Sequence, residues 1–247
     1  MDKELWQRKG AGHRERLRRR FLDRGIDSFS DAEVLELLLS FGTPRKDCKE
    51  PARALLKEFK TFAGVLDADA KRLRSITGIG PKNGFALGFI KATAERYLKQ
   101  RLKTRHYLKS SSEVIDYLLF SMKGLEVEAF TVIYLDSSLA VIDAEVAAEG
   151  TINVNNVYPR EIIRKALSHN AAALIVAHNH PSGALTPSPQ DRKLTRSLYL
   201  ACSMMQIRLL DHLIIGDGHY SFADSGLMAD TASWCSSVCQ WDSQAAP

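Results

Sequence analysis

"AAALIVAHNHPSGALTPSPQD", Ala171 to Asp191, decides how the second half of this chain folds. It opens on an apolar run, Ala171 to Ala177, short enough for a strand buried on both faces. The run delivers His178 and His180 to its C-terminal end, where ligands gather in open α/β sheets. Two residues apart on an extended segment, the imidazoles point to the same side, as binding of one ion requires. Pro181, Gly183 and Pro187 then mark a loop. "SPQD", Ser188 to Asp191, reads as a helix start: serine as cap, proline at the first helical position, a carboxylate in the first turn. That reading explains Ser188 and Asp191 without a metal, and lone histidines are more often packed or solvated than ligating. It leaves unexplained why two histidines at strand spacing coincide with a carboxylate returned to the same strand end. Three such ligands leave a fourth tetrahedral position to water, the mark of a catalytic rather than a structural zinc. Water so bound becomes a nucleophile at neutral pH.

The flanking sequence supplies the rest of an α/β unit. "AFTVIYLD", Ala129 to Asp136, and "LAVIDAEVA", Leu139 to Ala147, are β-rich runs separated by two serines, hence a hairpin. "YPREIIRKALSHN", Tyr158 to Asn170, sets Ile162, Ile163, Ala166 and Leu167 at helical spacing, with Pro159 near its start. A helix resumes after Pro187 through "QDRKLTRSLYLACSMM", and a last strand, "RLLDHLIIG", turns at Asp217-Gly218 into "HYSF". His169 and His212 read as packing groups or partners of a ligand rather than ligands. Asp211 is a candidate to orient a ligating imidazole.

The first half differs in charge and in period. Residues 1 to 105 hold 25 Lys+Arg against 14 Asp+Glu, net +11, whereas the remainder holds 9 against 15, net −6. A basic half fused to an acidic one points to a polyanion partner for the first, although "RERLRRR", Arg14 to Arg20, also fits a solvated helix face. "DSFSDAEVLELLLSFG" offers Ser30 as a cap before a leucine-rich helix that stops at Gly42, and "PARALLKEF", Pro51 to Phe59, continues the helical pattern. In "LRSITGIGPKNGFALGFIKATAERYL", Leu73 to Leu98, two helical stretches meet at Gly78-Ile79-Gly80. The glycines permit a tight turn that leaves backbone amides bare, and Lys82 stands beside the opening of the next helix, an arrangement suited to phosphate. The stretch resembles the helix-hairpin-helix motif, with Gly84 where that motif usually has alanine. The resemblance implies sequence-independent contact with DNA through Gly78, Gly80 and Lys82.

"KQRLKTRHYLKSSSEV", Lys99 to Val114, is polar and serine-rich, and residues 101–112 are expected to link a helical domain (1–100) to an α/β domain (113–229). From about Asp230 the sequence lacks a period, so 230–247 is expected as a loosely held tail. Cys235 and Cys239 in that tail resemble half a zinc site, but no second pair lies nearby in sequence. Four scattered cysteines argue against a disulfide framework. The charged beginning, "MDKELWQRKG", is unlike a secretory signal, and the longest apolar run falls far short of the roughly 20 residues that cross a bilayer. A cytoplasmic protein with no membrane contact is expected.

His178-x-His180, seven residues, Ser188, two residues and Asp191 match the signature of the JAMM zinc metallopeptidases and isopeptidases position for position. "HNHPSG", preceded by the "YPRE" helix and followed by "DHLIIGDG", resembles the RadC family from about Gly12 to Leu227. Ala184-Leu185 departs from the Asp-Pro common there. The resemblance implies a cytidine-deaminase-like JAMM/MPN domain with a mixed sheet, preceded by a small all-α helix-hairpin-helix domain. It also implies Zn2+ held by His178, His180 and Asp191, with Ser188 donating a hydrogen bond to the water or the oxyanion. The family's glutamate, its general acid/base, falls at Glu128; Glu126, Glu145 and above all Glu149 compete for that role. The implied activity is cleavage of a peptide, amide or isopeptide bond in a peptide or protein substrate. The short interval from Glu128 to His178 leaves little room for the insertions that grip ubiquitin. Rival readings are a non-catalytic DNA-binding or DNA-repair accessory protein and a metal-dependent nuclease. The oligomeric state is not legible.

Overall fold

The computed structural model describes residues 3–44, 46–103, 107–150 and 157–244. The chain divides into two compact units, Met1–Ala94 and Glu95–Pro247.

The first unit is helical: α1 (Lys3–Arg24), α2 (Asp31–Gly42), α3 (Lys49–Phe59), α4 (Phe62–Asp67), α5 (Ala70–Arg74) and the opening of α6 (Pro81–Leu102). Ser30 caps α2 in a reciprocal box: the Glu33 amide donates to Ser30 Oγ, and the Ser30 amide donates to the Glu33 carboxylate at 3.0 Å. Leu35 and Leu39 of α2, one turn apart, meet Ala52 and Leu55 of α3 in a core completed by Val65, Leu73, Ile79 and Leu87. Gly78 joins α5 to α6 at φ +90°, and a Cβ there would lie 2.6 Å from Pro51 Cγ, so both conformation and space demand glycine. The turn does not leave its amides bare, as its sequence implies. The Ile79 amide donates to the Ile76 carbonyl, and the Gly80 amide donates to Asn83 Oδ1 at 2.7 Å. Asn83 also donates from Nδ2 to the Gly78 carbonyl, so one side chain closes the turn from within. Lys82 is exposed in the first turn of α6.

The division of the chain falls inside α6, not at residues 101–112, because Leu98 and Leu102 of that helix pack into a core of the second unit. Residues 104–106 of the expected linker lie outside the described residues. Of its remainder, Arg101 and Leu102 end α6 and residues 107–112 open α7 (Tyr107–Met122), whose Val114, Leu118 and Met122 are buried at helical spacing.

The second unit carries a five-stranded mixed sheet in the order β2-β1-β3-β4-β5: β1 (Ala129–Leu135), β2 (Val141–Glu149), β3 (Ala173–Asn179), β4 (Arg208–Gly216) and β5 (Gly218–Ser221). β1 and β2 form the expected hairpin, with Asp136 Oδ1 accepting from the Ser138 and Ala140 amides at its turn. β1 pairs antiparallel with β3, β3 parallel with β4, and β4 antiparallel with β5. The β3–β4 crossover is α9 (Pro189–Met204). Leu174 and Val176 of β3 face a core shared with α8 (Pro159–Ser168) and α9, through Ile162, Ala166, Leu194 and Leu198. Ala173, Ile175 and Ala177 face the opposite core, against α7. That double burial is why β3 reads as an unbroken apolar run.

Residues 230–244, expected as a loose tail, belong to α10 (Leu227–Gln244); 245–247 lie outside the described residues. Met228, Thr231 and Cys235 are buried on one face, and the Arg196 guanidinium lies 5.0 Å over the Trp234 ring. A stripe of one methionine, one threonine and one cysteine is too weakly apolar to show as a period. Among the described residues no helix is long and apolar enough to cross a membrane.

Candidate metal centre

His178 is the penultimate residue of β3, and the chain stays extended through His180, whose amide donates to the Ile215 carbonyl at 2.8 Å. Both imidazoles therefore fall on one face of the sheet. The loop to α9 folds back because Gly183 adopts φ +79°, where a Cβ would lie 2.7 Å from Asp217 Oδ2. Its amide donates to the His180 carbonyl and its carbonyl accepts from the Asp217 amide. The return places the first turn of α9 over the end of β3.

Ser188 caps α9, and Asp191 completes a capping box with it. The Ser188 amide donates to Asp191 Oδ2 at 2.7 Å, and the Asp191 amide donates to Ser188 Oγ at 3.1 Å. The helix-start and metal-ligand readings of this segment are thus a single geometry. Capping pins one oxygen of Asp191, and the other lies 3.1 Å from His178 Nε2.

His178 Nε2 and His180 Nε2 are 3.0 Å apart, and His180 Nε2 is 3.6 Å from Asp191 Oδ2. His178 and Asp191 are buried, while His180 is the member reached by solvent. His180 Nδ1 sits 2.9 Å from the Ala184 carbonyl, which can only accept. The His180 proton therefore lies on Nδ1, and Nε2 turns a lone pair toward Asp191 and His178. Desolvation pushes the Asp191 carboxyl toward its neutral form, but positive charge at the His178 position and the Ser188 hydrogen bonds outweigh it and hold Asp191 well below the usual carboxylate range. A metal ion bound by the two imidazole nitrogens could supply the positive charge that a buried, ionised carboxylate requires.

The spacing fits a metal ion. With bonds of 2.0–2.1 Å, a tetrahedral centre holds its ligand atoms ~3.3 Å apart; the distances from His178 Nε2 to His180 Nε2 and to Asp191 Oδ1 lie close to that value, and one ligand atom from each residue lies within 4.8 Å of the others. The site can hold a metal ion through His178, His180 and Asp191.

Behind the candidate ligands stands a third histidine. His178 Nδ1 is 2.8 Å from His212 Nε2, and His212 Nδ1 is 2.7 Å from Thr195 Oγ1, whose proton goes to the Asp191 carbonyl at 2.6 Å. Complete burial, reinforced by neighbouring His178, keeps His212 neutral. Asp211, the sequence candidate for orienting an imidazole, faces the other way. Its carboxylate accepts from Ser221 Oγ and from the amides of His212 and Ala223. The parallel register sets His212 beside Val176, on the face of His178, and strand alternation turns Asp211 to the opposite one. His169 packs against Tyr134, with ring centroids 4.5 Å apart.

Phe130 pairs with His178 in the β1–β3 register, and Glu128 lies immediately before β1, two residues upstream of Phe130. Glu149 pairs with Ala129, one residue on, and so lies on the reverse face. Glu145 accepts from the Tyr134 hydroxyl at 2.6 Å and pairs with Lys165, while Glu126 is exposed in the approach to β1. Asn179, between the two histidines, points away from them: its Oδ1 accepts from the Ala129 amide and its Nδ2 donates to the Val127 carbonyl, on either side of Glu128.

Residues 108–227 match the family model described as a RadC-like JAB domain, and residues 9–84 match the UPF0758 N-terminal model. A UPF0758 protein of Burkholderia cenocepacia is 42% identical over 221 residues, covering 89% of this chain and 86% of its own length. The chain belongs to the RadC (UPF0758) family. UPF0758 proteins of Nitrosospira multiformis and Paraburkholderia phytofirmans are 41% and 42% identical over 87% and 85% of this chain, covering 96% and 81% of their own lengths. This RadC-family chain therefore pairs a helical N-terminal region with a mixed-sheet JAB domain, and the His-His-Asp cluster lies within the latter.

Proposed function

We propose that this RadC-family chain is a zinc-dependent hydrolase of amide bonds in peptide or protein substrates. The observation that carries the reading is the convergence of His178 Nε2, His180 Nε2 and Asp191 at the spacing of a tetrahedral ion, with His180 open to solvent. Two imidazoles and one carboxylate are the ligand set of a catalytic zinc that keeps one position for water. When bound, zinc supplies Lewis acidity, lowering the pKa of a water and polarising the substrate carbonyl. Glu128, two residues before the partner of His178 on β1, accepts the proton of the attacking water and passes it to the leaving amine. Ser188 Oγ already accepts from the Asp191 amide, which leaves its own proton to donate to the developing oxyanion.

The zinc-loaded protein, incubated with a panel of peptides and isopeptides, is expected to cleave a subset of them. Glu128→Gln retains the metal and loses at least about 100-fold in rate, whereas Glu149→Gln, on the reverse face of the sheet, cleaves as the wild type does. Equal activity of wild type and Glu128→Gln defeats the assignment, and cleavage of DNA in place of peptides defeats the substrate class.

The charge of the first half supports contact with DNA. With the Ile79 and Gly80 amides bound within the chain, that contact rests on side chains such as Lys82.

A further inference from the structure

Two residues outside the ligand set leave His178 only one way to carry its proton. Thr195 Oγ1 has a single proton and gives it to the Asp191 carbonyl. Toward His212 Nδ1 it can then only accept, so His212 carries its proton on Nδ1 and a lone pair on Nε2. His178 Nδ1 faces that lone pair and must donate to it. With its proton so placed, His178 turns a bare Nε2 toward His180 and Asp191. The reverse order fails on its own terms. A proton on His212 Nε2 forces the His178 proton round to Nε2, among the ligand atoms, and asks one Thr195 proton to satisfy two acceptors.

We propose that Thr195 and His212 are positioning residues that fix the tautomer of His178, and through it the affinity of the site for its metal. The inference rests on the metal reading above. The four residues form a ring through three elements: Asp191 and Thr195 stand one turn apart on α9, His212 comes from β4 and His178 from β3. Thr195 and His212 are fully buried, so solvent has no route by which to replace either hydrogen bond. A ligating imidazole ordinarily gives its second N–H to a carboxylate or a carbonyl. Here a neutral imidazole takes that place, and an imidazole accepts at one nitrogen only when its proton is held on the other. Thr195 does the holding.

The test is zinc affinity, measured by competition with a chromogenic chelator. Thr195→Val removes the acceptor at constant shape, and His212→Asn keeps a donor toward Thr195 but offers His178 no acceptor. Both are expected to bind zinc about 10- to 100-fold more weakly than wild type. Thr195→Ser and His212→Gln, which restore the missing acceptor, are expected to stay within a few-fold of wild type. Wild-type affinity in both Thr195→Val and His212→Asn overturns the inference while leaving the metal reading intact; a wild type that binds no zinc overturns both. Should a variant not fold, long-range 15N–1H spectra of the unsubstituted, zinc-loaded chain decide. Protons on Nδ1 of both His178 and His212 are expected, and a proton on His212 Nε2 overturns the relay.

Discussion

Ser188 and Asp191 hold one another from both sides, each amide donating to the other's side-chain oxygen, at 2.7 and 3.1 Å. One carboxylate thereby serves as helix cap partner and as candidate metal ligand, and substitution separates the two roles. Asp191→Asn keeps an oxygen for the Ser188 amide, so α9 is expected to start normally while metal binding is lost with the charge. Asp191→Ala loses both and is expected to cost a further ~1 kcal/mol of stability. Bound metal measured by elemental analysis, beside chemical denaturation of the metal-free proteins, tests the pair; equal stability of the two variants would show that the cap contributes nothing.

Gly78 and Gly80 differ in what they require, although sequence presents them as equivalents. At Gly78, alanine meets positive φ and Pro51 at 2.6 Å; at Gly80 the nearest atom to a new Cβ is 4.0 Å away. Gly78→Ala is expected to destabilise the first unit by at least about 1–2 kcal/mol from backbone strain alone, and Gly80→Ala by less than half of that. Thermal unfolding of both variants checks the order.

Glu33 supplies a pH dependence with a definite sign. The Ser30 amide and Arg20 hold its carboxyl below the ordinary 4.5. A depressed folded value stabilises the protein above the unfolded one, and that contribution fades as pH falls through the carboxylate range. Wild type is therefore expected to exceed Glu33→Gln in stability at neutral pH, with the gap closing on acidification to about pH 3. A gap that widens toward acid has the wrong sign for this cap.

If the basic half contacts DNA through its side chains, affinity for duplex DNA falls steeply with added salt and is indifferent to sequence. Lys82→Ala is expected to weaken binding uniformly and to reduce the slope of log K against log salt by about one. Salt titration by fluorescence anisotropy provides the slope.

Most of the α/β unit was legible because its signals are local. The apolar run of β3, the Ser188 cap and the Asp217-Gly218 turn each announce themselves within a few residues, and the spacing of His178, His180, Ser188 and Asp191 points to the residues that the structure clusters. What was not legible depends on partners distant in sequence. Asp211 and His212 are neighbours, and only the register of β4 against β3 decides which one faces His178. Thr195 looks like any helical threonine until α9 crosses β4. The Gly80 amide reads as bare because the side chain that satisfies it, Asn83, lies just beyond the turn. The serine-rich start of α7 and the weakly patterned α10 are helices because neighbouring cores bury one face of each, as Val114 and Cys235 show.

Asn179 looks away from the cluster. Because its amide grips the chain just before and just after Glu128, the segment that bears the carboxylate and the strand that bears both imidazoles move as one piece. On the proposed hydrolase reading, the gap a scissile bond has to fill is machined into the polypeptide before any substrate arrives, and loosening that single rivet would blunt the tool without removing a tooth.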